Sequence, residues 1–200
     1  MTQKIKHVTV FAASGGDPDT IYTEAAKTLG MLLAQRSIRC IYGGGQFGLM
    51  GAVSNSALDS GGSVCGIIPQ FMIDRGWLNP RLSDVVITQD IHSRKRIMAE
   101  RSDATVALPG GVGTMEELLE IITWRQLGLY PKPVIILNIS GYYDFLLLQL
   151  RQTQQEKFLQ HDAGDLFTVA TTPLQALYML IHQTEHPVTG QSRHHVNPGL

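Results

Sequence analysis

Short runs of β-branched and apolar residues alternate with helical segments along this chain, and this alternation constrains the fold more than any other feature. A strand followed repeatedly by a helix is typical of a parallel sheet, because each helix returns the chain to the same edge. The sequence therefore predicts an α/β fold, a Rossmann-like, doubly wound and mostly parallel sheet of about seven strands, with helices on both faces.

The pattern places strands at 8–12, 38–42, 63–68, 84–88, 104–108, 133–137 and 166–170. Helices are predicted over 20–36, 49–60, 91–101, 115–127, 142–158 and 172–183. The stretch 70–82, which Gly76 and Pro80 interrupt, is predicted to be irregular or a short helix. One nucleotide-binding catalytic domain is expected over 1–185, because a chain of this length suffices for one core. A flexible tail is expected over 186–200.

The overall composition excludes several classes of protein. The formal net charge of −1 offers no excess of positive charge for binding nucleic acid. No apolar run reaches the ~18 residues of a membrane span, and the N-terminus lacks the apolar core of a signal peptide. Cys40 and Cys65 lie in apolar runs without a CxxC motif, so we expect reduced core residues of a cytoplasmic protein.

Three turns that follow predicted strands are rich in glycine. They are Ser14-Gly15-Gly16, Gly43-Gly44-Gly45-Gln46-Phe47-Gly48 and Pro109-Gly110-Gly111-Val112-Gly113-Thr114. Glycine lets backbone N–H groups face an anion, and the helix that follows adds partial positive charge at its N-terminus. Because the carboxyl ends of parallel strands share one edge of the sheet, these turns predict a ligand cleft with an anion site there.

The second turn matches the GxGxxG pattern of dinucleotide-binding proteins at Gly43, Gly45 and Gly48. That pattern also requires a carboxylate about 20 positions further on, to hold a ribose hydroxyl. The next strand ends instead at Ile68-Pro69-Gln70, which argues against a nicotinamide cofactor.

The third turn leads directly into two glutamates. Thr114-Met115-Glu116-Glu117 reads as a capping box, in which Thr114 caps the helix and Glu117 binds the cap N–H. A carboxylate beside an anion site is also well placed to face sugar hydroxyls or a water molecule. We therefore expect at least one of the two glutamates to be functional.

Arg94, Lys95 and Arg96 lie in the first turn of the helix after the fourth strand, where cations oppose the helix dipole. Lys95 and Arg96 are explained equally well as solvated side chains. Arg94, nearest the strand end, is the best candidate to bind a phosphate or to polarise a leaving group. His92 is expected at the surface. His194 and His195 lack a third ligand nearby, so no metal site is predicted.

These motifs together resemble the LONELY GUY (LOG) family, the cytokinin riboside 5′-monophosphate phosphoribohydrolases that are often labelled lysine decarboxylases. The resemblance is carried by Ser93-Arg94-Lys95, by the run from Leu108 to Glu117, and by Trp124, Gln126-Leu127-Gly128 and Lys132-Pro133. Tyr42-Gly43-Gly44-Gly45, Gly48-Leu49-Met50-Gly51, Gly61-Gly62 and Ile68-Pro69 match the N-terminal half of the same family.

The resemblance implies a Rossmann-like homodimer that hydrolyses the N-glycosidic bond of an AMP-like nucleoside monophosphate without a cofactor. It implies that Arg94 and Glu117 are catalytic. With the glycine turns, it gives a predicted substrate-binding set of Lys95, Gly110, Gly111, Val112, Gly113, Thr114, Glu116, Thr123, Ser14, Gly44 and Gly45.

Two departures from the family are visible. Ala12-Ala13-Ser14-Gly15 replaces the usual cysteine-containing turn, and Asp74-Arg75-Gly76 stands where plant members place a glutamate. The second departure bears on base preference rather than on reaction type. Three alternatives stay open: a non-catalytic nucleotide-binding or sensing module, a nicotinamide oxidoreductase, and an enzyme acting on another phosphorylated small molecule.

Overall fold

The computed structural model of the protein describes residues 5–159 and 163–182. Seven strands lie in this range: β1 (His7–Phe11), β2 (Arg39–Tyr42), β3 (Val64–Pro69), β4 (Val85–Thr88), β5 (Ala104–Ala107), β6 (Val134–Leu137) and β7 (Thr168–Ala170). The helices are α1 (Thr20–Gln35), α2 (Gly48–Asp59), α3 (Gln70–Asp74), α4 (Ile91–Arg101), α5 (Val112–Gln126), α6 (Asp144–Gln155), α7 (Ala163–Leu166) and α8 (Pro173–His182). The predicted tail, with His194 and His195, lies outside the described residues.

The strands form one sheet in the order β4-β3-β2-β1-β5-β6-β7, and each neighbouring pair is parallel. The predicted α/β fold is therefore confirmed. The chain first winds outward from β1 to β4 and then resumes at β5 on the other side of β1. The strand order reverses between β1 and β5, which is where doubly wound sheets bind ligands.

Helices cover both faces of the sheet because successive strand residues point to opposite sides. On one face, Leu29 of α1, Val53 of α2 and Leu177 of α8 pack against the sheet. On the other face, Met98 of α4 and Leu118 of α5 pack against Phe11 of β1. The two helices that carry the predicted basic and acidic residues, α4 and α5, thus share one face.

Two helices begin at other residues than predicted, for local reasons. α5 begins at Val112 instead of 115, because helical backbone runs through Gly113. α6 begins only at Asp144, because Ser140 and Gly141 adopt positive φ in a 3₁₀ turn over Ile139–Gly141. The stretch 70–82, predicted to be irregular or a short helix, contains the short helix α3 and then irregular backbone.

Candidate active site

The glycine-rich turns after β1 and β5 lie side by side where the strand order reverses. Ala13 N donates a hydrogen bond to the Pro109 carbonyl (3.3 Å). Met50 N, in the first turn of α2, donates to the Ala13 carbonyl (3.0 Å), so the turn after β2 adjoins the same point. The structure therefore brings together the three turns that the sequence singled out.

The N-terminus of α5 is open. Gly111 occupies the N-cap position without a side-chain hydrogen bond, and Gly111, Val112 and Gly113 are exposed. By contrast, the carboxylates of Asp19 and Asp90 cap α1 and α4. Unpaired N–H groups at a helix N-terminus favour an anion, because the helix dipole acts in the same direction.

The predicted capping box at α5 is wrong. Because the helix begins at Val112, Thr114 lies inside its first turn and is buried. A Cβ atom at Gly110 would lie 2.1 Å from Thr114 Oγ1, so this turn needs glycine at Gly110 to pack against the threonine. Glu117 is consequently not used to cap the helix.

Glu117 instead pairs with Arg94 across the gap between α4 and α5. Arg94 Nη2 lies 3.6 Å from Glu117 Oε1, and both side chains are less than 10% exposed, at 7% and 8%. A Cβ atom at Gly43 would lie 1.8 Å from Arg94 Nη2, so only glycine leaves room for the guanidinium. Arg94 Nε is buried and has no hydrogen-bond partner among the described residues.

Burial raises the pKa of Glu117 above its usual value, because the charged carboxylate loses its hydration. The positive charge of Arg94 acts in the opposite direction, and the neighbouring Glu116 adds to the rise. The site therefore contains a buried carboxyl group next to a guanidinium whose Nε–H forms no hydrogen bond within the described residues.

Lys95 has a different environment, although it is adjacent in sequence to Arg94. Its side chain is buried, and Nζ lies 2.5 Å from Glu116 Oε1 and 3.0 Å from Glu120 Oε2. Burial alone would lower the pKa of Lys95, but the hydrogen bonds to Glu116 and Glu120 raise it overall. Lys95 is thus a charged bridge between α4 and α5.

A pocket of about 170 Å³ opens beside Arg94. Its lining residues are Ser14, Gly43, Gly45, Phe47, Met50, Ile68, Met72, Trp77 and Arg94. Apart from Ser14 and Arg94, the side chains of this lining are apolar. Such a combination, one cation and one hydroxyl on an apolar wall, suits a flat heterocycle attached to an anionic group.

The outer wall of the pocket is the segment 70–79, which backbone hydrogen bonds attach to the turn after β2. Gln46 N donates to the Trp77 carbonyl (3.0 Å), and Asn79 N donates to the Gly44 carbonyl (2.9 Å). The Arg75 guanidinium lies over the rings of Phe71 (5.3 Å) and Trp77 (5.2 Å). This stacking orients the half-exposed Trp77 ring at the pocket.

The predicted site residues divide into four groups, the first of which, Gly110 to Thr114, forms the turn and the first helical residues of α5 described above. Ser14, Gly45 and Arg94 line the pocket, whereas Gly44, with φ of 77°, packs against Ile68 beside it. Lys95, Glu116 and Glu117 form the charged contacts between α4 and α5. Thr123 is exposed, and its hydroxyl donates to the Leu119 carbonyl (2.8 Å); among the described residues it forms no hydrogen bond with another member of the predicted set. His92 is exposed, as expected.

Sequence reasoning missed the apolar wall, which comprises Phe47, Met50, Ile68, Met72 and Trp77. The one available signal was the position of 70–82 directly after the third strand, at the ligand-binding edge of the sheet. The described residues contain no cluster of His, Cys, Asp and Glu side chains that could hold a metal ion. Among the described helices, none has the length and apolar character to cross a bilayer.

Comparison with known proteins was made for sequence and for fold. A family model described as "Possible lysine decarboxylase" matches residues 50–180. A cytokinin riboside 5′-monophosphate phosphoribohydrolase of Arabidopsis thaliana is 43% identical over 169 residues, which cover 84% of this chain and 79% of the relative. A second enzyme of that name and organism is 41% identical over 167 residues, covering 84% and 73%.

Among solved structures, the molybdenum cofactor carrier protein of Chlamydomonas reinhardtii has a similar fold. Its TM-score is 0.68, over 89% of this chain and 96% of that chain, at 22% sequence identity. At this identity the likeness concerns the arrangement of strands and helices alone.

Proposed function

The chain belongs to the LONELY GUY (LOG) family, which its family model describes as possible lysine decarboxylases, and we propose that it is a nucleoside 5′-monophosphate phosphoribohydrolase. The reaction breaks the bond between C1′ and the base and forms a C1′–O bond from water. The products are the free base and ribose 5-phosphate. The observation that carries the proposal is the buried Arg94–Glu117 pair, in which Arg94 lines the pocket and Glu117 lies on α5, the helix with the open N-terminus.

The chemistry needs a carboxylate near the sugar, because positive charge develops on C1′ as the base departs. By analogy with glycoside hydrolysis, Glu117 stabilises this charge or orients the attacking water. Arg94 has a buried Nε without a partner, and it binds the phosphate or assists the departing base. The proton lost by the water ends on the base, which leaves with the electrons of the broken bond.

The phosphate is expected at the N-terminus of α5, where no side chain of the described residues caps the helix. The apolar wall with Trp77 and Met72 then takes the base. Interactions with a phosphate remote from C1′ fix the sugar in place, so a nucleoside without phosphate is expected to be a poor substrate. The names of the relatives make cytokinin nucleotides the first substrates to examine.

Lysine decarboxylation, the activity in the family description, fits the site less well. A decarboxylase of the Schiff-base type needs a lysine that loses its proton readily. Lys95 is held between Glu116 and Glu120, and these contacts raise its pKa. The bridge therefore keeps the only buried lysine of the described residues protonated.

The proposal is tested by incubating the protein with AMP, isopentenyladenosine monophosphate and other nucleoside monophosphates, and by measuring free base and ribose 5-phosphate chromatographically. Adenosine serves as the substrate without phosphate. Glu117→Gln is expected to lower kcat by about 100-fold or more while nucleotide binding is retained. Glu24→Gln, on the exposed side of α1, is the matched control.

Nucleotide binding without any release of base would instead indicate a sensing module of the same fold. Cleavage of adenosine as fast as AMP would contradict the role given to the N-terminus of α5. Binding of NAD(P) in a thermal-shift assay would favour the oxidoreductase alternative.

We further propose a homodimer in a cytoplasmic setting. Leu119 and Thr123 of α5 and Leu127, its C-cap, are four residues apart and form one exposed stripe, with Leu119 40% and Leu127 64% exposed. A second copy that covers this stripe would bring Thr123 of one protomer towards the other. Cys40 and Cys65 are free and buried, as in proteins of reducing compartments, and burial raises the pKa of Cys40 to about 12.

A further inference from the structure

Two tyrosine hydroxyls bind the backbone of the turn that precedes α5. Tyr142 donates to the Gly110 carbonyl at 2.5 Å, and Tyr143 donates to the Leu108 carbonyl at 2.6 Å. The Leu108 carbonyl belongs to the peptide group that precedes Pro109, and the Gly110 carbonyl belongs to the peptide group that precedes Gly111, the N-cap of α5. Neither tyrosine lines the pocket or contacts Arg94 or Glu117 through a hydrogen bond in the described part of the chain.

The bond from Tyr142 determines which way the next N–H group points. A peptide group is planar and trans, so its C=O and N–H bonds point in opposite directions. Because the Gly110 carbonyl points at Tyr142, the N–H of Gly111 points away from it. Gly111 is exposed, and a Cβ placed on it would meet nothing within 4 Å. The space beside Gly111 at the N-terminus of α5 is therefore open to a ligand.

The segment that carries the tyrosines is itself fixed. Ser140 and Gly141 have φ of 49° and 72°, in the left-handed region that few residues other than glycine adopt. Asn138 closes the turn, since its Nδ2 donates to Asp144 Oδ1 (2.7 Å) and its Oδ1 accepts from Tyr143 N (2.7 Å). A positive φ at Ser140 is energetically unfavourable. This cost is explained if the turn has to hold both tyrosine hydroxyls against the backbone that precedes α5.

Ring packing holds both tyrosine side chains in position, and Tyr143 is also buried. The rings of Tyr142 and Tyr143 meet edge to face with centroids 5.0 Å apart, and Tyr22 of α1 packs on Tyr142 at 5.7 Å. Tyr143 is fully buried, and burial raises its pKa, so it stays protonated and able to donate. No hydrogen bond is formed by the Tyr22 hydroxyl within the described residues.

We propose that Tyr142, supported by Tyr143, is a positioning residue that directs the Gly111 N–H towards the phosphate of the substrate. The inference rests on the proposed function for the identity of the anion. It does not depend on hydrolysis, because the oriented N–H would bind the phosphate of the product as well.

The test compares Tyr142→Phe with Tyr22→Phe, which removes a hydroxyl from the neighbouring ring without breaking a backbone contact. Ribose 5-phosphate and free adenine are titrated into each variant and into the wild type by calorimetry. Loss of one hydrogen bond of ordinary strength is expected to weaken ribose 5-phosphate binding about 3- to 10-fold. Adenine binding is expected to stay unchanged, and Tyr22→Phe is expected to bind both compounds as the wild type does.

Two results would overturn the proposal: wild-type affinity of Tyr142→Phe for ribose 5-phosphate, or an equal loss of affinity for adenine. The amide ¹⁵N shift of Gly111, which senses the hydrogen bond to the preceding carbonyl, gives a second readout and is expected to move in Tyr142→Phe. Failure of the hydrolysis assay with phosphate binding intact would contradict the proposed function without affecting this inference.

Discussion

Glu117 and Arg94 form a buried ion pair between α4 and α5. Glu117 takes no part in capping α5, because the helix begins at Val112 and Gly111 takes the cap. The space that Gly43 leaves for Arg94 was not predictable, since it depends on how closely the turn after β2 approaches α4.

The burial of Glu117 leads to a prediction about pH. A buried carboxyl group favours the neutral form, so its pKa lies above the ~4.3 of an exposed glutamate. If the ionised form supports hydrolysis, activity is lost as the pH falls through this raised pKa. The loss therefore occurs at a higher pH than it would for an exposed glutamate. A ¹³C NMR titration of the glutamate side chains measures the pKa directly.

The spectrum of Glu117→Gln identifies which signal belongs to Glu117 in that titration. A pKa of Glu117 at or below the peptide reference would mean that the charge of Arg94 outweighs burial. The loss of activity at low pH would then have to come from the protonation of another group.

Among the elements, α4 and α5 act as a unit because Lys95 bridges them through Glu116 and Glu120. The sequence predicted both helices, but it could not show whether Lys95 faces ligand or protein. That choice depends on side-chain packing between two helices, which a periodic pattern does not specify.

We predict that Lys95→Met destabilises the protein by about 2 kcal/mol, because hydrogen bonds to charged partners are lost and one of them is half-exposed. Urea unfolding measures the change. Arg96→Met, which removes an exposed contact with Glu100 on the same helix, is the control and is expected to cost under ~0.5 kcal/mol. Wild-type stability of Lys95→Met together with lost ribose 5-phosphate binding would assign the lysine to the ligand instead.

At the scale of the whole molecule, the strand alternation was sufficient to predict a doubly wound parallel sheet. The position of the cleft followed from the same alternation, because glycine-rich turns ended the strands that became neighbours. The part of the apolar wall that Met72 and Trp77 contribute was not predicted. These residues lie in the segment 70–79, which has no regular period and is shaped by hydrogen bonds to the turn after β2.

The proposed dimer predicts that Leu127→Glu shifts the protein towards a monomer, because a charge would be buried in an apolar interface. Sedimentation velocity over a range of concentrations measures the mass. Leu174→Glu is the matched control, since Leu174 is 65% exposed. Its helix, α8, packs on the opposite face of the sheet from α5. Unaltered mass in Leu127→Glu, or a monomeric wild type, would exclude this interface.

The outer wall of the pocket, the segment 70–79, has an evolutionary consequence. It contributes no charged group to the Arg94–Glu117 pair, and it is joined to the turn after β2 through main-chain atoms of Gly44, Gln46, Trp77 and Asn79. Main-chain bonds survive most substitutions of the side chains around them. Descendants of this chain are therefore free to acquire new ligand preferences by exchanging Phe71, Arg75 or Trp77, while the Arg94–Glu117 pair is inherited unchanged.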